Sequence, residues 1–255
     1  MRVYAKGSSQ NNTNVRRDSD VDVAVEWSED AYVGTIGATK DLTSAQLGYT
    51  PVKSAMTPGG FRSIVEAALM AEFGAGLVDV TGDKAINIDP TTTTLDADVV
   101  PCFELHRYDA PGMYHVGHRL FPRSGALWID NFPQQHYDNG VAKNNRTGGR
   151  YKDMVRGIKR LESELLASGA ISSALPGYVV ECLVFNVPDD RFNHNRLVED
   201  LEAVYLYLWS GLKDAAIYRE WAEVHDLHYL FRGGRHSPDA AFQFIDKAWD
   251  ALLEQ

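Results

Sequence analysis

The stretch Lys6–Glu26, KGSSQNNTNVRRDSDVDVAVE, opens on a Gly-Ser pair, runs through a polar loop holding Arg16 and Arg17, and closes on Asp18, Asp20 and Asp22. From Val21 to Trp27, VDVAVEW, apolar residues alternate with others, the period of a half-buried strand. Side chains at i and i+2 of a strand share a face, about 7 Å apart. Asp20 and Asp22 therefore share one face, and Val21, Val23 and Val25 share the other. Like charges on one face repel and raise each other's pKa. A divalent cation removes that conflict. With a third carboxylate from a neighbouring strand, the set suits two magnesium ions about 4 Å apart, an arrangement that supports in-line attack at phosphorus. Taken alone, the pair reads as a solvated strand face or as turn aspartates.

Two further features give the pair weight. Gly7-Ser8 directly follows the strand-like RVYAK (Arg2 to Lys6). Backbone amides at such a turn can cradle phosphate oxygens, and glycine lets a phosphate come close. In LDADVVPCFEL (Leu95 to Leu105), Asp96 and Asp98 both alternate with apolar residues, so either can supply the third carboxylate.

Composition narrows the function classes. The chain has 255 residues, 44% of them hydrophobic, enough for one large domain or two lobes with sizeable cores. No apolar run reaches membrane-spanning length and no secretory signal opens the chain, so a cytoplasmic protein is expected. Cys102 and Cys182 lie in apolar contexts, VVPCFEL and VVECLVF, and read as buried thiols without a disulfide. The net charge of −10 argues against strong, sequence-independent nucleic-acid binding, which needs many cationic phosphate contacts.

Along the chain, strands are expected at 2–6, 21–27, 77–80, 85–88, 97–105, 114–118 and 126–129. Helices are expected at 62–73, 151–168, 178–185, 195–210, 215–224 and 240–253. The Gly-, Thr- and Pro-rich stretch 28–60 reads as an irregular insertion. The chain thus divides into a mixed α/β half, 1–138, and a mostly helical half, 139–255. A cleft between two lobes is the natural place for a ligand.

The ordered motifs resemble those of the DNA polymerase β-like nucleotidyltransferase superfamily. GSSQNNTNVRRDSDVDV is similar to the cGAS/DncV-like nucleotidyltransferases and the oligoadenylate synthetases. DADVVPCF resembles the family's third-aspartate strand, LWIDNFPQQH (Leu127 to His136) its lobe-joining segment, TGGRYKDMVRGIKRLESELL (Thr147 to Leu166) its phosphate-binding helix, and LPGYVVECLVFNVPDD (Leu175 to Asp190) the helix that follows. Family members usually carry a long helix before the Gly-Ser strand; here that strand begins at Arg2.

The resemblance implies an α+β fold, a polymerase β-like catalytic lobe plus a helical lobe, with the active site in the cleft between them. It implies two Mg²⁺ or Mn²⁺ ions on Asp20, Asp22 and Asp98, with Asp96 as the fallback for Asp98. A nucleoside triphosphate is expected at Gly7 and Ser8, with Arg150 and Lys152 as phosphate contacts from a local basic patch and Tyr178 as a base-stacking candidate.

The favoured expectation is a bacterial synthase of a cyclic or short linear oligonucleotide messenger in anti-phage defence, acting on an effector protein through its product. The alternatives are transfer of a nucleotide to a protein, RNA or small molecule, and an inactive nucleotide-binding scaffold. His115 and His118 are three apart in a strand and fall on opposite faces, which speaks against zinc. His136 reads as structural. Tyr205, Tyr207, Trp209, Trp221, Phe242, Phe244 and Trp249 read as helical core.

Overall fold

The computed structural model describes residues 1–15, 20–52 and 54–253; Arg16, Arg17 and Asp18 lie outside them. The chain divides into two compact units, Met1–Ser9 with Asp18–Pro133, and Gln10–Arg17 with Gln134–Gln255. The boundary expected at 138/139 falls inside a helix, Pro133–Arg146. Among the described residues no helix is long and apolar enough to cross a membrane.

The first unit is built on a mixed sheet. Strands β1 (Arg2–Lys6), β2 (Val21–Thr35), β3 (Val78–Asp79), β4 (Ile86–Ile88) and β5 (Ala97–Ala110) lie in the order β1-β2-β5-β4-β3, and β6 (Met113–Leu120) joins β5 to β7 (Ile129–Asn131). β2 and β5 run parallel; the other pairs are antiparallel. Period-two alternation sends Val23, Val25, Val99 and Phe103 to one face, where they pack with Phe61, Val65, Ile86 and Ile88. Phe61 and Val65 belong to a helix at Pro58–Phe73. Thr57 caps it by accepting from Gly60 N at 3.1 Å, and Pro58 at its first position gives up no hydrogen bond.

The structure corrects three expectations here. β2 continues past Trp27 through a bulge, and Tyr32 to Thr35 pair with Leu105 to Tyr108, so half-apolar strand replaces the first part of the supposed insertion. A short helix at Ser44–Leu47 also lies within it, and the helix expected at 62–73 starts earlier, at Pro58. The strand expected at 126–129 is displaced to Ile129–Asn131, where it pairs with Leu120 to His118.

The second unit is a helical bundle: Pro133–Arg146, Arg150–Ser168, Gly177–Phe185, Leu197–Leu212 and Pro238–Leu253, with a short turn of helix at Ala215–Tyr218. Its core gathers Tyr151, Val155, Ile158, Val180, Leu183, Val204, Tyr205, Leu208, Phe244 and Ile245. Gly148 and Gly149, at φ 60° and 94°, turn the chain between the first two helices. The Pro133–Arg146 helix is too polar to stand out in the sequence and buries only His136, Gly140 and Lys143. The expected 215–224 helix stops at Tyr218. Beyond it a tight hairpin forms, with Ala222 bridged to Tyr229 and Asp226 at φ 60°. Cys102 and Cys182 are free and buried.

Gly117 lies where the chain leaves no room. A Cβ there would stand 2.6 Å from Asn131 O and 2.7 Å from Phe132 Cδ1. Gly117→Ala is expected to cost about 1–3 kcal/mol, as overpacking does, read as a lowered denaturant midpoint; an unchanged midpoint would contradict this packing.

Candidate active site

Four residues form one row across four adjacent strands. Lys6 of β1 pairs with Asp22 of β2, Asp22 with Asp98 of β5, and Asp98 with Asn87 of β4. Directly paired residues point to the same face, and neighbouring strands lie about 4.8 Å apart. The row therefore sits opposite the valine core. Asp20, exposed, lies just before β2, and its carbonyl accepts from Ser9 Oγ at 3.4 Å. The Asp22 carboxyl is held above the usual carboxylate range, chiefly by burial. Lys6 opposes this, and the charges of Asp98 and Asp20 add to it.

Asp98, not Asp96, is the strand partner of Asp22. Asp96 contributes its carbonyl, which accepts from Val21 N at 2.9 Å. Both aspartates present their carboxylates to one amide: Asn87 Nδ2 donates to Asp96 Oδ1 at 2.8 Å and to Asp98 Oδ1 at 3.5 Å.

Gly7 closes over this group. It has φ 71°, and a Cβ on it would stand 1.9 Å from Asp22 Oδ2, so only glycine lets the backbone approach the carboxylate this closely. Ser8 is half-buried in the short helix Gly7–Asn11.

Magnesium or manganese suits these residues. The donors are all carboxylate oxygens, their charges oppose one another, and a single lysine faces them. Among the described residues two other sets of three bring ligand atoms within 4.8 Å: Glu26–Cys102–His118 and Glu223–His225–His228. The ligand atoms of the three aspartates do not all lie within that distance of one another.

Both compact sets are hydrogen-bond networks. In the first, Tyr4 Oη lies 3.0 Å from Glu26 Oε2 and 2.9 Å from His118 Nδ1, and Asn131 Nδ2 lies 3.3 Å from His118 Nε2. Burial pushes His118 down to about 3 and the Cys102 thiol up to about 12. His118 is fully buried and His115 is exposed beside Asp109, so these histidines do not converge. In the second set, Glu223 accepts from Tyr178 Oη at 2.6 Å and contacts His225 Nε2 at 2.8 Å. Despite burial, these bonds hold the Glu223 carboxyl down at about 2.

In the helical unit, Arg150 ion-pairs with Asp200, whose side chain is fully buried and also accepts from His194 N at 2.9 Å. A buried carboxylate needs such a partner, so one end of this guanidinium is engaged in holding Asp200. Arg156 donates to Asn12 O at 2.6 Å, and Lys159 donates to Thr13 O at 3.2 Å. Thr13 Oγ1 in turn donates to Glu181, which His136 also contacts at 2.9 Å. These residues pin the polar segment after Gly-Ser to the helical unit, a role the basic patch did not advertise.

Lys143 and Arg146 pair with Asp189, and Arg160 with Glu164. Lys152 differs. Among the described residues no carboxylate lies within ion-pair distance of its ammonium, and Tyr137 offers a ring at 5.9 Å. Burial lowers its pKa, with Glu181 acting the other way. Tyr178 is half-buried, with His136 and His236 rings 5.4 Å and 6.2 Å away.

Residues 138–253 match the cGAS/DncV-like nucleotidyltransferase C-terminal helical domain. A cyclic dipyrimidine nucleotide synthase CdnE of Cecembia lonarensis is 34% identical over 235 residues, covering 91% of this chain and 77% of that protein. The chain belongs to the cGAS/DncV-like nucleotidyltransferase family. A cyclic dipurine nucleotide synthase of Elizabethkingia meningoseptica is 31% identical over 253 residues, covering 98% of this chain and 84% of that protein. The structure of Rhodothermus marinus CdnE c-UMP-AMP synthase with Apcpp and Upnpp superposes with a TM-score of 0.85 at 31% identity, over 99% of this chain and 84% of that one. Membership makes the chain a nucleotidyltransferase, an enzyme that transfers a nucleotidyl group from a nucleoside triphosphate and releases pyrophosphate.

The row gives the nucleotidyltransferase a distinctive pH signature. A carboxyl whose pKa is raised on folding holds its proton more tightly in the folded state, so stability falls as pH rises from 3.8 through the folded pKa. In chelator, Asp22→Asn removes the charge and keeps the shape. It is expected to melt a few degrees above wild type at about pH 7, with the gap closing towards about pH 4. A mutant melting below wild type by the same amount at every pH would refute this.

Proposed function

We propose that this chain joins two nucleoside triphosphates into a cyclic dinucleotide that signals through an effector protein in bacterial defence. The observation that carries this reading is the Asp22–Asp98 pair, closed by Gly7 and flanked by Asp20, in a chain similar over nearly its whole length to cyclic dinucleotide synthases.

Asp20 and Asp22 would hold both ions, and Asp98 the ion nearest the attacking hydroxyl. Bound there, magnesium or manganese lowers the pKa of that hydroxyl and offsets charge developing on the α-phosphate. The protein's own part is positioning and charge placement. The Gly7-Ser8 backbone, brought close to the Asp22 carboxylate by the absence of a side chain on Gly7, would receive the triphosphate. Lys152, for which no carboxylate among the described residues lies within ion-pair distance, would supply a cation to the triphosphate. Tyr178 offers a ring whose hydroxyl Glu223 holds in place, so that its face is presented in a fixed orientation.

The test is incubation with all four ribonucleoside triphosphates and magnesium or manganese, followed by mass spectrometry. Pyrophosphate and a phosphatase-resistant dinucleotide are expected. Asp20→Asn and Asp98→Asn should each lower turnover by about 10²-fold or more. Lys152→Ala should raise the KM for nucleotide while leaving the melting temperature close to wild type. Arg150→Ala should chiefly destabilise, because it strands Asp200. Label recovered only on a protein or RNA, or unchanged turnover in both aspartate variants, would refute the reading.

A further inference from the structure

We propose that Asn87 is a positioning residue of this site, and that its carboxamide decides which of two carboxylates, Asp96 or Asp98, serves as the third metal ligand and which of its oxygens is offered. The proposal rests on the two-metal reading above and adds a residue to it.

The argument begins in the sequence of β4. Ile86-Asn87-Ile88 is three residues long, and both isoleucines are buried, 0% and 5% exposed, in the core under the sheet. Period two then leaves Asn87 one direction, the opposite face, where the aspartates stand. The register sets it directly beside Asp98. Neither the side of the sheet nor the strand position is free to drift without exposing two core isoleucines.

Two carboxylates come within reach of the Asn87 amide, Asp98 in β5 and Asp96 immediately before that strand. Without a further constraint both compete for an ion, and the nearer to Asp22 is not selected by charge alone. Asn87 resolves the competition with one nitrogen. Its two N–H bonds reach Asp96 Oδ1 at 2.8 Å and Asp98 Oδ1 at 3.5 Å. The short bond engages Asp96 and keeps it on the β4 side. The longer bond engages one oxygen of Asp98, and its other oxygen would be left for an ion.

A neutral donor is what the position requires. A lysine or arginine there would neutralise the charge that draws the ions in, and an aspartate would add a fourth like charge to the row. Hydrogen-bonded partners of a ligating carboxylate typically matter 10–100-fold in metal affinity or activity, by about that factor. Asn87 touches neither substrate nor reacting atoms in this scheme; it acts through Asp98.

The experiment measures Mn²⁺ uptake by electron paramagnetic resonance in the presence of a non-hydrolysable nucleoside triphosphate, alongside turnover as a function of Mn²⁺ concentration. Asn87→Ala is expected to weaken Mn²⁺ binding by roughly 10–100-fold. The Mn²⁺ concentration for half-maximal turnover should rise in step, with melting temperature close to wild type. Asp96→Asn alone should bind Mn²⁺ as wild type does. Added to Asn87→Ala, it should restore part of the lost affinity by removing the competing carboxylate.

Lower stability with unchanged Mn²⁺ affinity would reduce Asn87 to a structural role and overturn the proposal. Asp96→Asn as damaging as Asp98→Asn would overturn it as well. Because uptake is read without turnover, a wild type that binds Mn²⁺ in an Asn87-dependent way and forms no product would overturn the synthase reading and leave this one standing.

Discussion

The structure depends on a conflict of charge placed in the middle of a sheet. Parallel pairing of β2 with β5 sets Asp22 beside Asp98, and burial adds to the cost of ionising Asp22. Lys6 on one side relieves part of that cost by charge, and Asn87 on the other contributes a hydrogen bond. The rest of the first unit holds this row in place. The valine face underneath fixes the register, because a slip of one residue would bring aspartates into the core. Gly7 lets the turn after β1 close over Asp22 where any side chain would collide with it. On the proposed reading, a site that is unfavourable by itself and held by its scaffold would become favourable when divalent cations and a triphosphate bind, directing binding energy to the reacting centre.

The same face of the sheet shows how differently buried charge can be handled. Further along β1, β2 and β5, Glu26 is paired with Arg2, bonded by Tyr4, and lies beside His118 and Cys102. That network is closed by hydrogen bonds and holds its histidine neutral. Among the described residues the aspartate row has one lysine and one amide for its carboxylates. The two groups share strands and a face. Their partners differ, and on the proposed reading the partners separate a structural network from a site that would take up ions.

Much of this was legible in the sequence, and particular residues show why. The alternation of VDVAVEW placed Asp22 on the polar face before any coordinates, and the apolar run Val99–Val100 identified β5 as a buried neighbour. The Asp22–Asp98 pairing was not legible, because register between residues so far apart in the chain depends on tertiary packing. Lys6 and Asn87 were missed although a signal existed: both sit in short alternating segments whose apolar residues point away. The polar segment after Gly-Ser read as a plain loop, yet Thr13 is bound to Glu181 and Lys159 within the helical unit. Basic residues on one helix looked equivalent by spacing. Only their partners separate Lys152 from Arg150, since a carboxylate buried 50 residues away leaves no mark in the helix itself. The Pro133–Arg146 helix was hidden by its polar composition, and the 219–230 hairpin by aromatic residues that mimic a helical period.

The most direct measurement is of the carboxyl groups themselves. In ¹³C-detected titrations of the aspartate side chains in chelator, the Asp22 carboxyl should titrate above the ordinary aspartate range, and magnesium with a non-hydrolysable triphosphate should bring it down. In Asp98→Asn the chelated value should move towards the ordinary range, because one of the neighbouring charges is gone. An Asp22 that titrates at its ordinary value in wild type, indifferent to both magnesium and Asp98, would contradict the account at its centre.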